Sequence, residues 1–273
     1  MSKRCTARAS AACRCRICRA GNGARSTPPI SRLCSVAETP VAETSVALEF
    51  VPDAVLFDMD GLMLDSEQAM LETWREAAVA ENLAAGDEVW LAMVGMHDRA
   101  SLAHLSGHFG AEAAARLRDA SYRLYDERVA AGLPRKRGLL ELLDLLDAHR
   151  VPKAVATSTQ RPRALAKLAA SGLIDRFDAI VAGSDVEHPK PAPDIYLLAA
   201  RELGVDVRRC VVLEDSEPGV RAALAAGATL IQVPDLVAPG EELRAFGHRI
   251  VASLEQAHGL LERALAQGAA EAG

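Results

Sequence analysis

The feature that most constrains the fold is a series of short apolar runs, each too short to form a helix. The first run, residues 54–57, is followed directly by Asp58. Continuously apolar runs that end in polar residues predict strands buried on both faces. Such runs cover residues 54–57, 154–156, 179–181, 211–213 and 229–231, with a weaker one at 250–251. We therefore expect a sheet of parallel strands.

Helical patterns separate these runs, with one long interruption. Helices are predicted at residues 161–170, 192–203 and 218–226, and strands alternating with helices favour an α/β fold with a doubly wound parallel sheet. Between Asp65 and Lys136 the pattern is helical throughout, at residues 67–80, 87–94, 98–108 and 111–131. This interval predicts an all-helical cap inserted after the first strand. Such a cap would lie over the carboxyl ends of the strands, where open α/β sheets bind ligands.

The amino-terminal segment differs from the rest of the chain. Residues 1–37 contain no Asp or Glu, and five of the six cysteines lie there. Cys15 and Cys18 could form half of a zinc site, and the basic, Ser-containing composition also resembles transit peptides and arms that contact nucleic acid. The lack of a periodic apolar pattern favours a disordered, basic, Cys-rich extension over residues 1–48. The remainder divides into a core of residues 49–66 and 137–273 and a cap of residues 67–136.

Composition limits the classes of function. The formal net charge is -6, so we expect no nucleic-acid partner. No apolar run approaches the roughly 20 residues that a membrane span needs, so we expect no membrane partner either. After the amino-terminal segment, Cys210 is the only cysteine and lies in an apolar run, so it is predicted to be buried. This cysteine usage predicts a cytoplasmic protein, and the sequence carries no signal of the oligomeric state.

Three of the predicted strands end in polar residues. They are Asp58 and Asp60 after the first strand, Thr157 and Ser158 after the second, and Glu214 and Asp215 after the fourth. Lys190 lies in the Pro-rich segment 188–194, just before a predicted helix. Because the carboxyl ends of parallel strands lie at the same edge of a sheet, we expect these side chains to share one cleft.

These residue types together predict phosphoryl transfer. Several carboxylates in one cleft cannot all stay ionised without a cation, and oxygen ligands are those that Mg²⁺ prefers. With Mg²⁺ and Lys190 neutralising a phosphate dianion, Asp58 could attack phosphorus as a nucleophile. Asp60, two residues further and on the same side of an extended chain, would protonate the leaving oxygen. Thr157, Ser158 and the start of the following helix would bind the remaining phosphoryl oxygens.

This set of residues resembles the four motifs of the haloacid dehalogenase superfamily. Residues 58–67, DMDGLMLDSE, are similar to its first motif in the capped subgroup that includes β-phosphoglucomutase-like sugar phosphatases. Thr157 is similar to the second motif, and Lys190 within KPAPD to the third. Residues 214–216, EDS, with Gly219, are similar to the fourth. The motifs occur in order, and the similarity covers about residues 52–265.

The resemblance implies a Rossmann-like core with a helical cap, and Mg²⁺ as the cofactor. It implies a phosphatase that hydrolyses a small phosphate monoester, of the sugar-phosphate kind, through an aspartyl-phosphate intermediate. The metal ligands implied are Asp58, the backbone carbonyl of Asp60, and Asp215, with Glu214 nearby.

Two other functions stay open. The first is a phosphomutase of the β-phosphoglucomutase type. Mutases of the family typically carry a Thr and a downstream His where this chain has Ser66 and Met70, which favours hydrolysis. The second is a non-catalytic binding protein on the same fold, against which the intact motifs count.

Three further side chains are weaker candidates for substrate binding. Glu67 directly follows the first motif and is predicted to face the substrate. Arg99 and Arg123 lie on predicted cap helices and could reach a charged end of the substrate, although most helical arginines are solvated.

The cap also contains histidines and tryptophans with more than one interpretation. His104 and His108 are spaced i, i+4, as in a metal-binding pair, and His97 precedes them. Without a carboxylate third ligand nearby, surface or substrate-facing positions are favoured for them. Trp74 and Trp90 are predicted to be cap core.

Overall fold

The computed structural model describes residues 48–94, 96 and 98–271. The predictions for the amino-terminal extension therefore lie outside the described residues, apart from Leu48, whose side chain is buried in the core. His97 also lies outside the described residues. Among the helices that are described, none is long and apolar enough to cross a bilayer.

Within the described part of the chain, strands form at each of the predicted apolar runs. They are β1 (Ala54–Phe57), β2 (Lys153–Thr157), β3 (Ala179–Ala182), β4 (Cys210–Glu214), β5 (Thr229–Gln232) and β6 (Arg249–Ile250). All neighbouring pairs are parallel, and the strand order is β3-β2-β1-β4-β5-β6. The chain therefore adds strands on one side of β1 and then on the other. This reversal between β2 and β4 is where open α/β sheets bind their ligands.

Helices account for much of the remaining described chain. In chain order they are α1 (Ser66–Ala80), α2 (Asp87–Leu91), α3 (Asp98–Phe109), α4 (Ala111–Ala131), α5 (Leu139–Ala148), α6 (Arg161–Ala170), α7 (Asp194–Glu202), α8 (Glu217–Ala226), α9 (Glu241–Arg244) and α10 (Leu254–Glu271). The predicted helices correspond to α1–α4 and α6–α8. The predicted α7 begins two residues too early, because Pro193 precedes its first turn and proline is excluded from helix interiors.

The sheet is apolar on both faces. Successive side chains of β1 point to opposite faces, so Val55 and Phe57 join one apolar cluster while Ala54 and Leu56 join another. The first cluster includes residues of α5, α6 and α10, and the second includes residues of α7 and α8. Cys210 is fully buried in the second cluster, as the sequence predicts. The doubly wound α/β fold is therefore confirmed.

Helices α1–α4 form the all-helical cap between β1 and β2. A third apolar cluster contains Trp74 and Trp90, whose side chains are 4% and 3% exposed, so both tryptophans are cap core. The two connections between cap and core run side by side, because Leu64 pairs with Arg135 in an antiparallel bridge. The backbone N–H of Lys136 also donates to the carbonyl of Met63 at 2.8 Å.

Candidate active site

The side chains predicted for catalysis, phosphate binding and metal binding meet at the carboxyl ends of β1, β2 and β4. A cavity of about 890 Å³ opens at this edge of the sheet. Its lining includes Asp58, Asp60, Thr157, Ser158, Lys190 and Asp215. Glu214 lies beneath the cavity wall and is fully buried. The structure thus brings these seven residues into one place.

Lys190 is the cation at the centre of the cluster. Its Nζ donates to Asp58 Oδ1 at 2.6 Å, Glu214 Oε1 at 2.7 Å and the Ala156 carbonyl at 3.0 Å. The side chain is only 3% exposed. Burial acts to lower the pKa of Lys190, but the charges of Asp58 and Glu214 raise that pKa well above its ordinary value. Lys190 is therefore held as a buried ammonium between two carboxylates.

Both carboxylate oxygens of Glu214 accept hydrogen bonds from other groups of the protein. Its Oε1 accepts hydrogen bonds from Lys190 and, at 3.0 Å, from the Tyr196 hydroxyl. Its Oε2 accepts from the backbone N–H and the hydroxyl of Ser216, at 2.8 and 3.0 Å. A Cβ at Gly219 would overlap the carboxylate, so this position at the start of α8 requires glycine. With both oxygens engaged in this way, Glu214 holds Lys190 in place.

Asp215 has a different environment. Its Oδ1 is buried and has no hydrogen-bond partner within the described residues. Burial, followed by the charges of Glu214 and Asp58, raises the pKa of Asp215 well above its ordinary range. The carboxylates of Asp58, Glu214 and Asp215 each have an oxygen within 4.8 Å of the others. A buried carboxylate oxygen with no partner, beside other carboxylates, is costly without a cation, so these residues fit a divalent metal ion.

Asp58 and Asp60 differ in their electrostatic surroundings. Burial raises the pKa of Asp58 to about 7, against the lowering effect of Lys190. Asp60 Oδ1 accepts from Lys167 Nζ at 2.6 Å, and Oδ2 accepts from the Thr159 hydroxyl at 2.7 Å. Burial acts to raise the pKa of Asp60, but the charge and hydrogen bond of Lys167 bring it below its ordinary value. Two carboxylates that are two positions apart are thus held by separate lysines.

The turn after Asp60 directs the chain from β1 into the cap. Gly61 has a φ of +83°, in the left-handed region that glycine adopts without strain. Its N–H donates to the Leu64 carbonyl at 3.0 Å and to Ser66 Oγ at 3.1 Å. The turn places Asp60 at the base of α1.

Thr157 and Ser158 lie at the end of β2. Thr157 is buried, and its Oγ1 accepts from the backbone N–H of Thr159 at 3.1 Å. Ser158 is exposed and lines the 890 Å³ cavity. Both precede α6, and the positive end of a helix dipole favours a nearby anion. This part of the site therefore suits phosphate oxygens.

A second cavity, of about 380 Å³, adjoins the first on the cap side. Asp60 and Glu67 line both cavities. Much of the wall that the cap contributes is apolar or aromatic: Met70, Trp74, Met93, Met96, Tyr122 and Tyr125. Arg99 and Arg123 are exposed and line neither cavity. The structure therefore places Glu67 at the site and the two arginines away from it.

The cap histidines show no metal-site geometry. His104 Nε2 is 3.0 Å from the carbonyl of Val89, and its ring centre is 4.7 Å from that of His108. Among the residues that the structure describes, the group suited to hold a metal ion is the one formed by Asp58, Glu214 and Asp215.

The sequence did not predict several residues of the site. Thr159 and Lys167 hold Asp60, and Tyr196 holds Glu214. Lys167 and Tyr196 lie within helices, where the pattern alone does not say which polar side chain turns toward the sheet edge. Asp235, which also lines the 890 Å³ cavity, had a weaker signal, because it lies three residues after the end of β5, near the same edge of the sheet.

Comparisons with known proteins agree with this geometry. A family model described as haloacid dehalogenase-like hydrolase matches residues 52–227. The phosphorylated carbohydrates phosphatase of Thermotoga maritima is 34% identical over 178 residues, covering 64% of this chain and 82% of that protein. The fructose-1-phosphate phosphatase YqaB of Escherichia coli is 35% identical over 187 residues, covering 66% of this chain and 95% of that protein.

A solved structure also shows similarity to this family. The crystal structure of a HAD family hydrolase from Deinococcus radiodurans R1, with bound phosphate and sodium, is 30% identical and has a TM-score of 0.66. It covers 77% of this chain and 98% of that one. The chain belongs to the haloacid dehalogenase-like hydrolases. It is an enzyme of that family, with the family's Rossmann-like fold.

Proposed function

We propose that this enzyme is a Mg²⁺-dependent phosphatase that hydrolyses a small phosphorylated carbohydrate through an aspartyl-phosphate at Asp58. The observation that carries the proposal is the position of Asp58. It is ion-paired to Lys190 at 2.6 Å and lies beside Asp215, whose Oδ1 has no hydrogen-bond partner in the part of the chain that the structure describes. A carboxylate nucleophile, a fixed cation and a place for a divalent ion are what attack on a phosphate dianion needs.

The charge balance supports Mg²⁺. Asp58, Asp60, Glu214 and Asp215 offer four carboxylates, whereas Lys190 and Lys167 supply two positive charges. Two negative charges therefore remain when all the carboxylates are ionised, which a divalent ion balances. Only oxygen donors are present in this group, as Mg²⁺ prefers.

The ligands proposed are Asp58, the backbone carbonyl of Asp60, and Asp215. When bound, Mg²⁺ supplies positive charge that neutralises phosphate oxygens next to the nucleophile. Glu214 lies within the same cluster, but its oxygens already accept four hydrogen bonds from Lys190, Tyr196 and Ser216. We therefore assign Glu214 to positioning Lys190.

In the first step, an Oδ atom of Asp58 forms a bond to phosphorus while the bond from phosphorus to the leaving oxygen breaks. Lys190, already fixed at Asp58, stabilises the charge on the phosphoryl oxygens. Thr157 and Ser158 bind the remaining oxygens, and the positive end of the α6 dipole favours the negative charge there.

Despite burial, Lys167 keeps the pKa of Asp60 low in the free enzyme, so Asp60 first takes up a proton as the phosphate dianion binds. It passes this proton to the leaving oxygen, and the resulting carboxylate then takes one from the water that hydrolyses the aspartyl-phosphate. It lines both cavities, so it can reach the leaving group on the cap side and phosphorus on the core side. Its two hydrogen bonds, from Lys167 and Thr159, set the direction of its carboxylate.

The substrate class follows from the relatives and the cap-side cavity. Two relatives are named as phosphatases of phosphorylated carbohydrates and of fructose-1-phosphate. The 380 Å³ cavity can hold a small leaving group between aromatic walls and the polar side chain of Glu67.

We propose further that the core comprises residues 49–66 and 137–273 and that the cap comprises residues 67–136. We also propose that the enzyme is cytoplasmic.

A phosphate-release screen tests the proposal. Purified enzyme is incubated with Mg²⁺ and a panel of sugar phosphates and smaller phosphate monoesters, and free phosphate is measured. We expect turnover of at least one sugar phosphate, loss of turnover with EDTA and recovery with excess Mg²⁺. The proposal would be contradicted if the folded enzyme released phosphate from no member of the panel. It would also be contradicted if EDTA left the turnover unchanged. Conversion of β-glucose 1-phosphate to glucose 6-phosphate without free phosphate would instead support the mutase alternative.

A further inference from the structure

Asp235, in the loop after β5, is a buried carboxylate that the proposed reaction does not use. Its side chain is only 9% exposed, and its Oδ2 is buried without a hydrogen-bond partner within the described residues. Burial raises the pKa of Asp235 above its ordinary value, although Lys136 acts to lower it. A buried carboxylate oxygen without a partner is costly, and its presence in a folded protein calls for a ligand.

The unpartnered oxygen of Asp235 lies beside the carboxylates of the metal site. A Cβ placed on Gly61 would overlap Asp215 Oδ2 and would lie 3.3 Å from Asp235 Oδ2. Both oxygens therefore lie against the same side of the turn that follows Asp60. Asp235 also lines the 890 Å³ cavity together with Asp58 and Asp215.

Asp235 does not belong to the group of mutually close carboxylates. The carboxylates with oxygens within 4.8 Å of one another are those of Asp58, Glu214 and Asp215, and Asp235 is not among them. Mg²⁺ usually keeps several of its water molecules when it binds a protein. A carboxylate slightly farther from the ion is placed to accept a hydrogen bond from such a water.

We propose that Asp235 is an additional residue of the metal site, which binds Mg²⁺ through a water molecule of the ion's hydration shell. This inference rests on the proposed function, because it needs an ion at Asp58 and Asp215. It assigns Asp235 as a positioning residue, which touches neither the phosphate nor the leaving group.

Lys136 orients Asp235 for this role. Its Nζ donates to Asp235 Oδ1 at 2.5 Å and to Asp65 Oδ1 at 2.8 Å. Because Oδ1 is held by Lys136, Oδ2 is the atom left for a water. Asp65 and Lys136 lie on the two connections between cap and core, so the ion pair also fixes Asp235 relative to the base of the cap.

Metal binding by the full-length variant Asp235→Asn tests the inference. Isothermal titration calorimetry gives the dissociation constant for Mg²⁺, and thermal unfolding with and without Mg²⁺ gives a second readout that needs no substrate. We expect Asp235→Asn to weaken Mg²⁺ binding by about 10-fold, as for outer partners of metal sites. The increase in unfolding temperature caused by Mg²⁺ should shrink accordingly. Without Mg²⁺, the stability of the variant should change little, because the amide oxygen of Asn can still accept from Lys136, which also keeps its ion pair with Asp65.

Asp65→Asn is the matched control, since it removes the same charge from the other partner of Lys136. Its Mg²⁺ dissociation constant should stay within about twofold of the wild type, because Asp65 does not line the 890 Å³ cavity and its charge is partly exposed. Equal weakening by both variants would overturn the inference, as it would indicate a general charge effect. Unchanged binding by Asp235→Asn would overturn it as well.

The failure of this inference differs from the failure of the proposed function. A wild type that binds no Mg²⁺ would contradict the proposed function itself. A wild type that binds Mg²⁺ as tightly as Asp235→Asn would contradict only the role of Asp235. If the amide variant does not fold, Asp235→Ser removes the carboxylate with less volume and carries the same expectation.

Discussion

The core and the cap contribute two different kinds of surface to the site. On the core side, Lys190 and Glu214 are buried charges that make three and four hydrogen bonds within the protein. On the cap side, the wall of the 380 Å³ cavity includes Trp74, Tyr122 and Met93. The core groups are fixed by their partners, whereas methionine side chains adapt to the shape of what they contact.

From this difference we expect core residues to determine the rate of the reaction and cap residues to determine which substrate fits. Fixed charges stabilise a transition state without reorganising, so a change in the core should lower the rate for every phosphate ester. A change in the adaptable cap wall should alter which leaving group fits. Asp60 and Glu67 line both cavities and so belong to the boundary between the two regions.

The largest effect is expected for Asp58→Asn, which tests whether the core alone carries the chemistry. The amide is a poor nucleophile, so turnover should fall by more than the roughly 10⁴-fold that marks the upper range for losing a general acid or base. The loss should be the same for every substrate of the wild type. Phosphate release measured over long incubation quantifies the remaining rate.

Thermal unfolding controls for the fold of Asp58→Asn. The variant should unfold at or above the wild-type temperature in the absence of Mg²⁺, because burial disfavours the charged form of Asp58. Near-normal turnover by this variant would remove Asp58 as the nucleophile.

A smaller and more selective effect is expected for Lys167→Met, at the boundary between core and cap. Lys167 is 2.6 Å from Asp60 Oδ1 and lies over the ring of Tyr125 of α4 at 5.3 Å. Without it, Asp60 keeps the hydrogen bond from Thr159 but loses its ion pair, and misplacement of a catalytic group can cost about 10²-fold. Sugar phosphates should therefore turn over about 10 to 10² times more slowly.

Substrates with different leaving groups distinguish a misplaced Asp60 from a general disturbance of the fold in Lys167→Met. 4-Nitrophenolate leaves without needing a proton, so the first turnover of 4-nitrophenyl phosphate should change much less than that of a sugar phosphate. Rapid-mixing measurements of 4-nitrophenol release give this rate. Lys167→Arg keeps the charge and should recover part of the loss. An equal loss with both substrates would mean that Lys167 serves only to pack α6 against the cap.

The smallest effects are expected for two arginines that form a matched pair, Arg163 of α6 and Arg99 of the cap. Arg163 lines the 380 Å³ cavity, whereas Arg99 is exposed and lines neither cavity. Arg99→Ala should leave kcat/KM within about twofold, as for most exposed charges. Arg163→Ala should lower kcat/KM several-fold for good substrates and change their relative order. The reverse result for the two variants would show that Arg99 contacts substrate.

The fold was largely predictable because its signals are local. Each strand is a short apolar run, and the cap is a long interval without such runs. Helix α5 was not predicted, although Leu139, Leu142, Leu143 and Leu146 recur at helical spacing and are all fully buried. The leucines between them obscure that pattern in the sequence.

The positions of the candidate site residues were predictable where these residues follow strands, since strand ends of a parallel sheet meet at one edge. Lys167 and Tyr196 could not be found in that way, because their contacts depend on how α6 and α7 rotate against the sheet. The sequence also could not separate Glu214 from Asp215. Only the structure shows that one is enclosed by protein donors and the other keeps an unpartnered oxygen.

The buried ion pair of Lys190 and Glu214 affects how the thermal stability of this protein can change by mutation. A buried ion pair contributes little to stability, and well-packed apolar residues in its place often make a protein more heat-resistant. Selection for thermal tolerance alone would therefore favour apolar replacements of both residues and yield a sturdier, inactive protein. Under the proposed function, this ion pair is therefore kept for its role in phosphate binding and not for resistance to heat.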